Sequence, residues 1–317
     1  MNVVFMGTPG FACPALETLA NSSHHVAAVV TVPDKPYGRG RKTTACEVKL
    51  KALTLDIPVL QPKKLRSPEF LTEISALGAD VFAVIAFRIL PRKLYSIPPK
   101  GSINIHASLL PKYRGAAPIQ HAILNGETDT GLTSFFLTDR VDQGDIIDQR
   151  SFPIGPDENF SSLSARLAAA AGPFLIRTLE LIDTPDFSPQ IQDQSQATPA
   201  PKIGPENCLI DWHGDARRIH NQIRAFSEHP GAFSFLDGHI IKILGTAREL
   251  PERSTPLEPG ELLPQNKRLY VGTGTSPLQI IKIQPEGKRA MDALSFLNGY
   301  RIEPGRKMTS VRKEVIK

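Results

Sequence analysis

Asn104-Ile105-His106 sets a carboxamide and an imidazole two residues apart, where the expected strand over 102–105 gives way to His106. Residues two apart on a strand point to the same side, so Asn104 and His106 face one space. A carboxylate is available from Asp142, in the polar run Asp139-Arg140-Val141-Asp142-Gln143-Gly144-Asp145 between two further expected strands. These three groups suit acyl transfer. Asn and His donate hydrogen bonds to a developing oxyanion, and the carboxylate sets the state of the imidazole. A histidine merely satisfied within a turn is the competing reading, and both stand at this point. Gly-x-Ser-x-Gly is absent, and Cys13, before Pro14 at an expected helix start, reads as a structural thiol. An acyl transfer here would take its nucleophile, such as an amine, from the substrate.

The loop Ser108-Leu109-Leu110-Pro111-Lys112-Tyr113-Arg114-Gly115 follows directly and enters a helix at Pro118. Its two leucines, read as exposed, could line a flat apolar pocket. Phosphate chemistry is disfavoured. Gly7-Thr8-Pro9-Gly10-Phe11-Ala12 lacks the spacing Gly-x-Gly-x-x-Gly, Pro9 removes an N–H that a phosphate would need, and no P-loop motif exists. No metal-ligand spacing appears either, His24-His25 being an adjacent pair expected at the surface. The segment 33–42 carries Lys35, Arg39, Arg41 and Lys42 with Tyr37 among glycines and prolines. It reads as a loop, either merely solvated or a basic finger able to enter a nucleic-acid end with Tyr37 stacking.

The elements that must position these groups form two sets. Apolar runs at 3–6, 25–32, 58–60, 81–86, 102–105, 132–137 and 146–152 read as strands. Helical patterns at 12–21, 46–55, 68–77, 118–124 and 160–181 lie among them. Strands apolar throughout, alternating with helices, predict an open α/β domain over residues 1–185 with a mostly parallel sheet. Ligands in such sheets bind beyond the strands' carboxyl ends, which directs attention to Gly7, Ala86 and His106. Residues 186–204, rich in Pro, Gln, Ser and Asp, read as a linker. Beyond it, 205–317 predicts a helix over 215–226 and short strands at 232–236, 239–244, 268–272 and 278–283. Asp237-Gly238 makes the first hairpin turn, and the set suggests a small barrel or sandwich.

A length of 317 residues fits two domains at roughly 150 each. With 41% hydrophobic and 22% charged residues, there is apolar surface to fill real cores, which excludes a wholly disordered chain. No run approaches the ~18 apolar residues of a membrane span, and the start reads as a strand rather than a signal peptide. Cys13, Cys46 and Cys208 are far apart and suggest neither a disulfide framework nor zinc, so a reducing cytoplasm is expected. Residues 205–317 hold 17 Lys+Arg and 13 Asp+Glu, against 20 and 19 before them. The positive excess therefore sits in the second set, as a solvated face or as a track for an anionic polymer such as tRNA.

Asn104-Ile105-His106, the segment 108–115 and Val141-Asp142-Gln143-Gly144-Asp145 together resemble the folate-dependent formyltransferase family. The likeness extends to 5–12, 33–40 and 115–120, and, in the second set, to 200–203, 210–212, 223–226, 230–232, 288–293 and 296–299. Within the family it is strongest to the branch acting on methionyl-tRNA. The resemblance implies a Rossmann-like formyltransferase domain followed by an OB-like β-barrel. It also implies transfer of formyl from 10-formyltetrahydrofolate to the α-amine of initiator methionyl-tRNA, with no metal, by a monomer. By similarity Asn104, His106 and Asp142 are catalytic. Ser108, Leu109, Leu110 and Pro111 would line the folate site, with Arg88, Ile89 and Leu90 holding the pterin ring. Arg39, Arg41 and Lys42 would contact the tRNA. Acceptors such as glycinamide ribonucleotide, an amino-sugar nucleotide or water remain alternatives, as does a non-catalytic RNA-binding protein.

Overall fold

The computed structural model describes residues 1–37, 42–251 and 256–311. The chain divides into two compact units. One comprises Met1–Pro118, Asp129–Phe152 and Ser164–Pro201, and the other Ile119–Thr128, Pro153–Leu163 and the residues from Lys202 onward.

In the first unit, β1 (Asn2–Gly7), α1 (Cys13–Ala20) and β2 (His25–Val30) open the chain. A small hairpin of β3 (Lys35–Tyr37) and β4 (Lys42–Thr44) precedes α2 (Glu47–Thr54), β5 (Val59–Leu60), α3 (Pro68–Ser75) and β6 (Val81–Ile85). Then come α4 (Arg92–Tyr95), β7 (Ser102–His106), α5 (Pro118–Leu124), which past Pro118 belongs to the second unit, β8 (Asp129–Phe136), β9 (Ile146–Pro153) and α6 (Phe160–Asp183), which is in the first unit from Ser164 onward. Seven strands make one sheet in the order β5-β2-β1-β6-β7-β8-β9. From β5 to β7 every pair is parallel, and β8 runs antiparallel to β7. The parallel strands thus run third, second, first, fourth and fifth in chain order, the Rossmann-like arrangement, with its switch point between β1 and β6.

β1 and β6 lie mid-sheet and are covered on both faces. Val3, Val4, Phe5 and Met6 are fully buried, as are Val81, Phe82, Ala83 and Ile85. This is why those runs show no polar alternation. α3 begins where Ser67 Oγ accepts from Phe70 N at 3.4 Å and Pro68 takes the first helical position. Its Phe70 and Ile74 pack with Val4, Met6, Phe82 and Leu94, each such burial worth about 1.5–3 kcal/mol.

Two expectations change here. The segment 33–42 is not simply a loop: Lys35 pairs with Thr44 and Tyr37 with Lys42 across β3 and β4. Backbone pairing holds that hairpin, so apolar periodicity gave no sign of it. Of residues 186–204, read as a linker, those up to Pro201 lie in the first unit, and several are bonded into it. Gln190 exchanges backbone hydrogen bonds with Ile146, and Arg114 N donates to Thr198 O at 2.9 Å. Ala200 N in turn donates to Arg114 O at 2.6 Å.

In the second unit, Asp215 caps α7 (Ala216–Ala225), its carboxylate accepting from Arg217 N and Arg218 N. Next follow β10 (Ala232–Leu236), β11 (His239–Ala247), β12 (Leu262–Gln265), β13 (Arg268–Val271), β14 (Leu278–Pro285), β15 (Met291–Asp292) and α8 (Ala293–Gly299). The strands form an antiparallel sheet ordered β10-β11-β14-β13-β12, with β15 paired to β14. Asp237 and Gly238, at φ 51° and 79°, turn β10 into β11. Asn266 and Lys267, at 50° and 62°, do the same between β12 and β13. Trp212 is 2% exposed in the core, and its Nε1 donates to Ser234 Oγ at 2.9 Å.

Candidate active site

β7 brings the site's first two groups to the sheet's carboxyl edge. Asn104 lies opposite Phe135, and His106 opposite Thr133. The two residues between which the strand alternates once share a face, as expected. His106 is 8% exposed. Its Nε2 lies 2.8 Å from Tyr113 O, a carbonyl that can only accept, so this nitrogen carries a proton. Its Nδ1 faces Asp142 Oδ2 at 3.8 Å, close enough for an ion pair but too long for a hydrogen bond.

Asp142 comes from the 137–145 loop in a left-handed backbone conformation, φ 54°, which non-glycine residues seldom adopt. Three hydrogen bonds account for its persistence. Gly115 N donates to Asp142 Oδ2 at 2.8 Å, and Gln192 Nε2 donates to Asp142 O at 3.1 Å and Gly144 O at 2.7 Å. Gly144 lies against the end of β8 so closely that a Cβ there would fall 1.6 Å from Phe136 O. The fold therefore brings Asp142, on a strained loop, up to His106, while strand alternation sets Asn104 on the same face of β7 as His106.

The loop after β7 serves this arrangement from inside. Ser108 is fully buried and its Oγ donates to Lys112 O at 2.7 Å. Leu110 N donates to Thr133 Oγ1 at 3.1 Å, and Gln149 Nε2 donates to Leu110 O at 2.7 Å. Leu110 is only 3% exposed, packed with Phe135 and Ile146. This corrects the reading of two exposed leucines: Leu110 belongs to the core, Leu109 is half-buried, and Pro111 follows at the half-buried turn. The turn holding Tyr113 and Gly115, which supplies acceptors and donors to His106 and Asp142, was not singled out from the sequence for that role.

At the end of β6, Ala86 has φ 50° and begins an irregular stretch. Leu90 is buried in the core cluster, whereas Ile89 exposes 78% of its surface. Arg88 Nη2 donates to Pro62 O at 3.1 Å, and burial lowers the guanidinium's pKa below its ordinary value. Arg88 Nε and Thr8 Oγ1 are both buried with no hydrogen-bond partner among the described residues. Thr8 directly follows β1, the parallel neighbour of β6, so both unsatisfied groups belong to loops leaving the switch point. Thr8 lies in the segment 5–12 that carries the family resemblance, but nothing in the sequence assigns it a role at the site.

Arg39 and Arg41 lie outside the described residues, and Lys42 is placed by its backbone in β4. Among the described residues no three His, Cys, Asp or Glu side chains cluster as metal ligands, and no helix is long and apolar enough to cross a membrane.

Residues 1–179 match the formyl transferase family, and residues 202–301 match the formyl transferase C-terminal domain. The chain is 44% identical over 307 residues to the methionyl-tRNA formyltransferase of Citrifermentans bemidjiense, covering 96% of this chain and 95% of that protein. The crystal structure of methionyl-tRNA formyltransferase from Clostridium thermocellum has the same fold, with TM-score 0.57 at 16% identity over 78% of this chain and 94% of that one. HypX from Aquifex aeolicus, solved with tetrahydrofolic acid, aligns at TM-score 0.64 and 18% identity over 93% of this chain. There the chain spans about half of HypX, 46% of its length. With both regions matched and the identity sustained end to end, the chain belongs to the formyl transferase family.

Proposed function

We propose that this enzyme transfers the formyl group of 10-formyltetrahydrofolate to the α-amine of initiator methionyl-tRNA, giving N-formylmethionyl-tRNA. The observation that carries the choice of acceptor is the sustained identity, through both regions, to methionyl-tRNA formyltransferases. The substrate amine attacks the formyl carbon, a C–N bond forms, and the carbonyl electron pair moves onto oxygen. Asn104 and His106 donate hydrogen bonds to that oxygen. Because His106 Nε2 is held by Tyr113 O, Nδ1 is the nitrogen left to serve the reaction, with Asp142 3.8 Å away to stabilise its charge. As the oxyanion collapses, the bond from the formyl carbon to N10 breaks. The proton lost by the amine passes by way of His106 and Asp142 to N10.

The irregular stretch after β6 supports a site for the flat pterin. An open apolar Ile89 stands beside a buried, unsatisfied Arg88 Nε, and Thr8 Oγ1 offers a second unsatisfied group. In this reading Ser108, Leu110 and Pro111 shape the pocket wall from behind, and Leu109 and Ile89 supply its apolar surface. Arg39, Arg41 and Lys42 contact the tRNA acceptor end, and the positively charged residues from 205 onward, on an OB-like barrel, meet its phosphates. The enzyme acts as a cytoplasmic monomer.

A formyl-transfer assay tests this by offering charged initiator methionyl-tRNA, glycinamide ribonucleotide, an amino-sugar nucleotide and water in parallel. Transfer to the tRNA alone is expected. Transfer to a small amine, or hydrolysis alone, would overturn the acceptor assignment.

A further inference from the structure

We infer that Gln192 is a positioning residue for the Asp142–His106 pair, an inference that rests on the reaction proposed above. Gln192 is 3% exposed, in the segment that runs from the Ile146–Gln190 bridge to the Arg114–Pro199 bridge. Its Nε2 donates to Asp142 O and Gly144 O. Its Oε1 accepts from Arg114 Nε at 3.2 Å and from Arg114 Nη2 at 2.6 Å. Carbonyls only accept and a guanidinium only donates, so the amide fits in a single orientation with both hydrogens and both lone pairs used.

Those contacts reach the two loops that meet at Asp142. On one side the amide pins the carbonyls of the loop that holds Asp142 in its left-handed conformation. On the other it holds Arg114, whose chain neighbours are the two backbone groups at the site. Tyr113 O receives His106 Nε2, and Gly115 N binds Asp142 Oδ2. Gln194 Oε1 takes a further N–H of the same guanidinium at 2.8 Å. Arg114's side-chain hydrogen bonds thus go to neutral amide oxygens, and although Asp142 is near enough to favour its charge, the Asp142 carboxylate is bonded by Gly115 and faces His106. Removing the Gln192 amide frees the loop carbonyls and frees Arg114 to compete for Asp142. A buried amide with every hydrogen-bonding position used is costly to replace, because each partner would be left unsatisfied.

The test compares Gln192→Leu and Gln192→Glu with the full-length enzyme. The leucine removes both sets of contacts. The glutamate still accepts from Arg114 but presents an anion to two carbonyl oxygens, and it serves as the second variant if the leucine protein does not fold. Each is expected to lower kcat about 10–100-fold, the scale of an ångström-level misplacement, while KM for folate and tRNA changes little. In an Asp142→Asn background, measured by single turnover at enzyme excess, Gln192→Glu is expected to add no further loss, since it acts through the same carboxylate. Unchanged kcat in the folded variants, or a loss that persists in full in the Asp142→Asn background, would overturn the assignment. A wild-type enzyme inert toward methionyl-tRNA would overturn instead the reaction on which the inference rests, and the assignment with it.

Discussion

Gly144→Ala puts the strained loop to a quantitative test. The added Cβ would sit 1.6 Å from Phe136 O, where contacts below 3.0 Å essentially never occur, so the two backbones must part by about 1.4 Å. No flexible side chain can yield in their place, because the obstructing atoms are the main-chain carbonyl of Phe136 and the ring edge of Phe135. Phe136 N also donates to Asp145 O at 3.0 Å, so the same movement strains the bond closing the loop. Overpacking of this kind costs about 1–3 kcal/mol and a weakened hydrogen bond about 0.5–1.5 kcal/mol. A loss of about 2–4 kcal/mol should lower the first unit's melting temperature by roughly 5–15 °C. Function should suffer more than stability. Asp142 lies two residues from the obstruction, and an ångström of extra distance to His106 is worth about 100-fold in kcat. Thermal melts and steady-state formyl transfer, measured below the variant's melting range, read the two effects separately. A variant that melts lower yet turns over like the wild type would refute the claim that this loop's exact position governs the Asp142–His106 approach.

Three further outcomes are expected. His106→Ala should lower kcat by about 10²–10⁴-fold with little change in tRNA affinity, because its partner charge develops only in the transition state; unchanged turnover would refute its role. Arg39→Ala should reduce kcat/KM for methionyl-tRNA more than for folate and flatten the salt dependence of tRNA binding; equal effects on both substrates would argue against contact with tRNA. In the second unit, burial holds the His220 pKa below its ordinary value despite Asp157 Oδ1 lying 3.2 Å from Nε2. A depressed histidine means that the unfolded chain takes up the proton first. Stability should therefore fall as pH drops below about 6.5 toward the folded value, and His220→Gln should flatten that part of a melting-temperature profile, which parallel profiles would contradict.

The sequence was most informative where one local rule governs the outcome. β1 and β6 are visible as unbroken apolar runs because both their faces are buried. The Asp237-Gly238 turn is visible because left-handed turns restrict residue type. β12 was missed because Pro264 interrupts its pattern, although Pro264 still pairs with Leu269. α8 was missed because it is short, even though Asp292 accepts from Ser295 N at 2.7 Å as its cap. In the site, Asn104 and His106 follow from alternation, and Asp142 from being a carboxylate in a polar turn. Gln192 carried no such signal. It stands in a segment without periodicity, and Arg114, the partner that explains it, is 78 residues away. Leu110 misled for the related reason that a loop's direction after a strand is set by partners such as Thr133, which no local pattern encodes.

The location of those missed residues follows from the chemistry. In the reaction proposed above the substrate supplies the nucleophile, so the protein has no reactive serine or cysteine to place, and the proposed contribution reduces to donors, a carboxylate and their separation. Donors on a strand are held by the sheet itself, as Asn104 and His106 are on β7. The carboxylate must approach from outside the strand, and here it does so on a loop at φ 54°, a conformation costing of order 1–3 kcal/mol. That cost has to be met by contacts the loop cannot make with itself. Gly144 meets part of it by letting the loop lie against Phe136 O, and the Gly115 N–H meets another part from the turn after β7. The rest comes from Gln192, in a chain segment 50 residues beyond Asp142. A catalytic group that stands on a strand is thus legible from its neighbours in sequence, whereas one that stands on a strained loop draws its support from residues that only the fold brings near.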